Sequence, residues 1–324
     1  MGKVLALQNK KGSCARTLTS DHRIGFVLST KDRTQFTRRC LPAIDDEGGF
    51  DLIWVDGSLT DEGRTLPYEF RSKEVKVAEV HSGVGGGADA AVVYSLKRLL
   101  DLGYDYCGLI ENDVLLRPGW FLKLLDTWNR ASYDGLAVGA ATVRNYESRV
   151  MEYCNGYTIN WCMGAGMVLF SREAAQAVLN NYSWTSVRKI YRYFSEEFQV
   201  SLKGIWELWR GFPDTPMVPD WNYAPTLYRE GLVSIGSIPS LATDLQFNIH
   251  KQFKTNYVES GMNNAGRVRP WASSLELALI RLTDPIYSAA WKAVGDGVIL
   301  ETLSTMARRH TNALRRSVED LPVV

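Results

Sequence analysis

Residues 108–116, GLIENDVLL, end an apolar run in Glu111, Asn112 and Asp113. Residues one apart on an extended segment point to the same side, so Glu111 and Asp113 can address one site while Asn112 turns away. Convergent carboxylates are hard oxygen donors of the kind that Mn²⁺ and Mg²⁺ take, and these ions keep open positions for phosphate oxygens. An isolated tripeptide of this kind is also what a solvated acidic turn looks like, so its context decides.

Three earlier apolar runs leave the core in the same way. IGFVLST runs out into Ser29, Thr30, Lys31, Asp32 and Arg33, and FDLIWVDG into Asp56, Gly57, Ser58, Leu59, Thr60 and Asp61. VKVAEV runs out into His81, Ser82, Gly83, Val84 and three further glycines. That last run is too glycine-rich for a helix, and it lacks the lysine of a phosphate-binding P-loop. It suits close backbone approach to a ligand, or a flexible connector. Glycines after the third apolar run, and not the first, fit a dinucleotide-binding fold poorly.

The elements that must position these residues follow from periodicity. TQFTRRCLPAI and AAVVYSLKRLLDLG have helical spacing and separate the apolar runs. Alternating strands and helices predict an α/β domain with a mostly parallel central sheet covered on both faces. Ligands in such sheets sit beyond the carboxyl ends of the strands, where the polar residues cluster. LAVGAATV and GAGMVLFS read as further strands, followed by the Trp-rich helical stretch SWTSVRKIYRYFSEEFQVSLKGIWELWRGF. Residues 1–22 read as a loosely held arm. From Ser273 the chain reads as amphipathic helices broken at Pro285 and at Gly295 and Gly297.

Composition narrows the function classes. The 324 residues carry a net charge of +1, so no basic footprint points to nucleic acid. The five cysteines are odd in number and never in CxxC spacing, which suits reduced thiols without a disulfide framework or zinc site. No apolar run reaches the ~20 residues that cross a bilayer, and the polar start MGKVLALQNKKGS lacks a signal-peptide core. The expectation is a soluble, cytoplasmic protein.

In order, the strand-end motifs resemble the nucleotide-sugar half of the GT-A glycosyltransferases, and most closely the inverting family 2. STKDR resembles the family's Pro-Thr-Tyr-Asn-Arg turn, with Thr30 and Arg33 retained. VDGSLTD resembles Asp-Asp-Gly-Ser-Thr-Asp, with Val55 for the first Asp and Leu59 inserted. HSGVGGGADAA resembles Asn-x-Gly-x-x-x-Ala, with His81 for Asn, and Glu111-Asn112-Asp113 stands at the Asp-x-Asp metal motif. RPGWFLKLL, GAGMVLFSREAAQAV and PDWNYAPTLYREGLVSIGS continue the likeness, which covers roughly residues 23–245.

The resemblance implies a GT-A, Rossmann-like domain over residues 23–272, with its nucleotide-sugar half at about 23–120 and its acceptor half at about 121–272. A helical extension over 273–324 follows. It implies transfer of a sugar, with inversion, from a nucleotide diphosphate donor such as a UDP-sugar to a carbohydrate, lipid-linked or other acceptor hydroxyl, using Mn²⁺ or Mg²⁺. Thr30, Arg33, Asp56, His81, Gly83, Glu111 and Asn112 then contact the nucleotide sugar, with Asp56 recognising the base. The plain alternative for Asp56 is a turn-forming Asp before Gly. Asp113 is implied as the direct metal ligand, helped by Glu111 and by His250 or Asp244. The alternative use of this stretch is contact of Lys251 and Lys254 with the diphosphate. Asp220 is implied as the general base, with Glu196 and Glu197 as rivals that helical context makes a solvated face. Trp161, Gly164 and Trp221 fall on the acceptor side, with Trp206 and Trp209 nearby, although most tryptophans belong in a core.

Two alternatives stay open. A sugar-nucleotide nucleotidylyltransferase shares this kind of sheet, but wants a Gly-rich basic loop after the first strand that STKDRTQF does not supply. A non-catalytic nucleotide- or carbohydrate-binding relative would keep the fold and lose the chemistry. For the C-terminal helices, packing on the domain is expected. A homodimer contact, or docking to a membrane surface, is the alternative.

Overall fold

The computed structural model describes residues 17–18, 21–45, 47–70, 75–85, 87–143, 149–198, 216–217, 219–238 and 240–244. Strand β1 (Ile24–Thr30) is buried at every position but Ser29, as an apolar run flanked by parallel neighbours should be. It pairs in parallel with β2 (Asp51–Asp56) on one side and with β4 (Tyr106–Glu111) on the other. β3 (Lys76–Ser82) adds to β2, also in parallel, and forms the sheet edge. Between them run α1 (Thr34–Asp45), α2 (Asp61–Glu69) and α3 (Gly87–Asp101).

The sheet continues beyond β4 with mixed directions. β5 (Val114–Leu116) leaves it, and α4 (Trp120–Tyr133) leads to β6 (Val138–Thr142). β7 (Arg149–Tyr153), β8 (Tyr157–Cys162) and β9 (Met167–Ser171) follow, then α5 (Arg172–Asn180), the short β10 (Thr185–Ser186) and α6 (Val187–Phe198). The last described elements are β11 (Pro216–Met217), a 3₁₀ turn at Pro219–Asn222, α7 (Tyr223–Arg229), β12 (Val233–Ser237) and β13 (Ala242–Asp244). Among the described residues the main sheet has nine strands in the order β3-β2-β1-β4-β9-β6-β12-β8-β7. The β4–β9, β9–β6, β12–β8 and β8–β7 pairs are antiparallel, and β12–β6 is parallel. The expected parallel core is therefore present, and the second half of the sheet departs from it. β7, β8, β12 and α2 were not legible as separate elements.

Side chains of the central strands alternate between two cores. Phe26, Leu28, Leu52, Trp54 and Ile110 face one, under α1, α2 and α4. Val27, Ile53, Val55, Cys107 and Leu109 face the other, under α3 and α5. Gly108 is required on β4, because a Cβ there would lie 2.0 Å from the Phe26 ring. The described part of the N-terminal arm is held: Leu18 is buried, and its N–H and carbonyl exchange hydrogen bonds with the Asn129 amide at 2.7 and 3.0 Å. No described helix is long and apolar enough to cross a membrane. Cys40, Cys107, Cys154 and Cys162 are all free thiols, and burial pushes Cys107 up to about 12. The expected helices beyond Ser273 lie outside the described residues.

Candidate functional site

Polar side chains at the carboxyl ends of β1, β2 and β4 are joined by hydrogen bonds. Trp54 Nε1 donates to Thr30 Oγ1 (2.9 Å), and the Thr30 hydroxyl donates to Asp56 Oδ1 (2.8 Å). The same oxygen accepts from the Ser58 N–H (3.2 Å) and hydroxyl (2.6 Å). Asp56 is fully buried, yet its second oxygen, Oδ2, has no hydrogen-bond partner. Buried carboxylates normally use both oxygens, so this one carries an unmet acceptor.

The loop after β1 is strained and stapled. Asp32 and Arg33 both have left-handed backbone conformations, at φ 50° and 51°, which side chains larger than glycine adopt at a cost. Asp32 Oδ1 offsets that cost by accepting from the N–H groups of Leu59 and Thr60 and from the Thr60 hydroxyl. Its own N–H donates to Ser58 Oγ at 2.7 Å. Burial pushes the Asp32 carboxyl up, but the Thr60 and Leu59 hydrogen bonds and the Lys31 charge outweigh it and hold the group below the usual range. Thr60 also caps α2, accepting from the Gly63 N–H.

The loop closes onto the third polar exit. Arg33 Nη1 reaches Asp113 Oδ2 at 2.8 Å, with Asp113 almost wholly buried. Asn112 is buried and donates to Thr37 Oγ1 at 3.1 Å. Glu111 is the last residue of β4, whereas Asn112 and Asp113 form a turn before β5. Strand alternation stops at Glu111, so it cannot be what aligns the two carboxylates, and Asn112 turns inward onto α1. β13 pairs antiparallel with β5 and sets Asp244 opposite Val114, one position from Asp113. His250, Lys251, Lys254, Trp206 and Trp209 lie outside the described residues.

At the sheet edge, His81 is inside β3 and not in the exit loop. Both ring nitrogens are engaged, Nε2 with Glu79 at 2.6 Å and Nδ1 with the Tyr94 hydroxyl at 2.8 Å. His81 therefore fastens β3 to α3, a role that differs from the expected ligand contact. The following loop is open: Gly83 has φ 76°, and a Cβ at Gly83 or Gly85 would meet nothing within 4 Å. Gly57 is the opposite case, because a Cβ there would sit 2.7 Å from the Val84 carbonyl oxygen. Val84 in turn donates its N–H to the Asp56 carbonyl at 3.0 Å.

This edge has a testable pH signature. Hydrogen bonds from Arg98 hold Glu79 at about 2, against the opposing effect of partial burial and with help from His81. A depressed carboxyl adds stability that is fully present above its unfolded value of 4.5 and lost as pH falls from there toward 2. Arg98→Gln is expected to lower the melting temperature by a few degrees at pH 7. The gap to wild type should narrow below pH 4.5 and close only near pH 2. Thermal melts of both proteins across that range check it, and an equal gap at both pH values would refute it.

The residues expected on the acceptor side lie on several elements. Glu111 donates its N–H to the Gly166 carbonyl at 2.8 Å, which ties it to the loop holding the half-buried Gly164. Asp220 lies in the 3₁₀ turn and is half-buried. Burial, and after it the nearby Tyr182 and the charges of Asp220 and Glu111, pushes the phenol of Tyr223, one turn on, well above its ordinary value. Tyr182 donates to Asp89 Oδ1 at 2.9 Å, joining this side to the start of α3. Trp161 is buried in the core, and half-buried Trp221 lies against it with ring centroids 5.9 Å apart. Trp161 is thus packing, and Trp221 is the aromatic with surface to offer. Glu196 and Glu197 are exposed on α6, as a solvated helix face requires. Sequence reasoning missed Tyr182, Asp89 and Tyr223, whose placement rests on contacts far apart in the chain.

Among the described residues no group of three His, Cys, Asp or Glu side chains could hold a metal ion. The donor chemistry nevertheless suits Mn²⁺ or Mg²⁺, since such ions are held by one or two carboxylates together with substrate phosphates. Glu111 and Asp113 are that number of hard donors.

A scan against protein-family models finds no match, and a search of curated proteins finds none. Among solved structures, the chain is similar to the glycosyltransferase GlyE of Streptococcus pneumoniae TIGR4, with 10% identity and a TM-score of 0.35 over 66% of this chain. It is similar to an apo UDP-glucose pyrophosphorylase, with 10% identity and a TM-score of 0.37 over 66% of this chain and 90% of that one. A cytidylyltransferase from Leptospira borgpetersenii gives 9% identity and a TM-score of 0.32 over 48% of this chain. The match spans 45% of GlyE and 63% of the cytidylyltransferase. Likeness at this level does not bear on the chemistry of the site.

Proposed function

We propose that this chain is a glycosyltransferase that moves a sugar from a nucleotide diphosphate donor, a UDP-sugar in the first instance, to an acceptor hydroxyl with inversion. One observation carries the proposal. The exits of β1, β2 and β4 are bonded into one constellation through Thr30–Asp56, Asp32–Thr60 and Arg33–Asp113.

Each residue then has a role its chemistry suits. The unmet Asp56 Oδ2 is an acceptor for a ring N–H of the base, once the Gly83–Gly85 loop admits it. The open backbone at Gly83 allows close approach of the nucleotide. Arg33 offers cationic N–H groups to the diphosphate. Glu111 and Asp113 would hold Mn²⁺ or Mg²⁺, with Asp244 or His250 as the further ligand. The ion when bound supplies Lewis-acid stabilisation of the leaving diphosphate. Asp220 takes the acceptor hydroxyl's proton as its oxygen attacks the anomeric carbon from the opposite face. Trp221 offers an aromatic surface to the acceptor, beside Gly164.

Calorimetric titration with UDP, GDP and dTDP, with and without Mn²⁺, tests the proposal at its base. Metal-dependent binding of one of them is expected, and absence of binding by all three sinks it. A screen of nucleotide sugars then separates two chemistries. Release of nucleotide diphosphate supports glycosyl transfer, whereas pyrophosphate from a nucleoside triphosphate and a sugar 1-phosphate supports nucleotidyl transfer. Release of neither supports a binding role alone.

A further inference from the structure

We propose that Trp184 is a sugar-stacking residue on the acceptor side of Asp220, and that the acceptor is therefore a carbohydrate. The proposal rests on the glycosyl-transfer reading above and goes beyond it by naming the acceptor's chemical class.

Trp184 lies in the loop between α5 and β10 and is 58% exposed. A single exposed apolar side chain needs no explanation on an ordinary surface. The position of this one does. Two ties join its loop to the segment that carries Asp220. On one side of Trp184, β10 pairs antiparallel with β11, with Thr185 opposite Met217. On the other side, the Asn222 amide donates to the Asn181 carbonyl at 3.2 Å. Residues 181–185 and 217–222 therefore run side by side in opposite directions, and Trp184 and Asp220 both fall between the two ties. The loop is held at further points. The Tyr182 hydroxyl donates to Asp89 at 2.9 Å, and the Ser183 hydroxyl to the Asn181 carbonyl at 3.3 Å. A backbone fastened in this way carries the indole at a set place beside the carboxylate, so less ordering is needed when a ligand arrives.

The surroundings select that ligand. A lipid surface or an apolar helix would want a contiguous apolar patch. Asn180, Asn181 and Ser183 are exposed beside Trp184, and all three are polar and uncharged. A pyranose suits both features. Its C–H face covers an aromatic ring, while its hydroxyls exchange hydrogen bonds with amides and hydroxyls around the ring. It also presents the hydroxyl that a carboxylate base at Asp220 needs to deprotonate.

Trp184→Ala and Trp184→Phe test the proposal, because an exposed side chain can be changed without opening the core. The full chain and both variants would be melted thermally and titrated with UDP, GDP and dTDP in Mn²⁺. Transfer from UDP-sugars would be assayed with methyl glucoside, methyl galactoside, maltose and cellobiose, and with a serine-rich peptide and a long-chain alcohol. The expected result is transfer to a saccharide, with acceptor KM raised about tenfold by Trp184→Ala and much less by Trp184→Phe, and kcat nearly kept. Nucleotide affinity and melting temperature should not change. Equal acceptor KM in wild type and Trp184→Ala overturns the inference, and so does transfer confined to the peptide or the alcohol. Weakened nucleotide binding with a lowered melting temperature also overturns it, because that marks a structural residue. If the wild-type chain binds no nucleotide at all, the functional reading itself fails and this inference falls with it.

Discussion

Asp220→Asn is expected to keep donor affinity and to lose about 10²–10⁴-fold in sugar transfer, the usual worth of a positioned general base. The carboxylate acts as the acceptor oxygen attacks, so its contribution falls in the transition state and not in ground-state binding. The amide has nearly the same shape and cannot take the proton. Asp220 is half-buried in a short 3₁₀ turn, where an isosteric change leaves packing intact. Donor hydrolysis should fall alongside transfer, since water in an empty acceptor site needs the same base. A transfer assay beside nucleotide titration checks this, and near-normal transfer by Asp220→Asn removes the assignment. Suspicion would not pass to Glu196 or Glu197, which lie exposed on α6.

Replacement of Asp113 should have the largest combined effect, and the structure shows how to divide it. Asp113→Ala would leave Arg33 facing a gap where its 2.8 Å partner had been. Removing one member of a buried pair costs about 3–5 kcal/mol, and Arg33 is partly exposed, so the low end is expected. Asp113→Asn still offers Arg33 an oxygen, yet it is a poor ligand for a hard cation. Both variants should lose metal-dependent donor binding, because the diphosphate would then meet carboxylates without a bridging charge. Only the Ala variant should show that loss of stability. Thermal melts and Mn²⁺-dependent nucleotide titration of both variants decide the point. If both still bind nucleotide in a metal-dependent way, Asp113 is there to hold Arg33.

By itself the sequence determined the β1–β4 scaffold and where its strands stop. A strand flanked by parallel neighbours must be apolar on both faces, so Ile24–Thr30, Asp51–Asp56 and Tyr106–Glu111 declare themselves as unbroken runs. Their ends declare themselves too, because polar residues cannot continue into that environment. Thr30, Asp56 and Glu111 each stand at a strand terminus for this reason. The antiparallel strands β7 and β8 carry no such contrast, since YTINWC mixes polar and apolar residues that are all buried.

Partner choice was left to the tertiary structure. Arg33 and Asp113 are 80 positions apart, and Asp89 and Tyr182 are 93 apart. No local spacing encodes those bonds. His81 and Trp161 look like ligand residues by type, and were reassigned because neighbours from other elements use their ring nitrogens or their faces first. Side-chain chemistry is written locally. Whether a polar atom is spent on the fold or kept for a ligand depends on which distant groups the packed sheet brings within 3 Å or so of it. That depends on register, crossover and helix docking, all of which are properties of the folded chain.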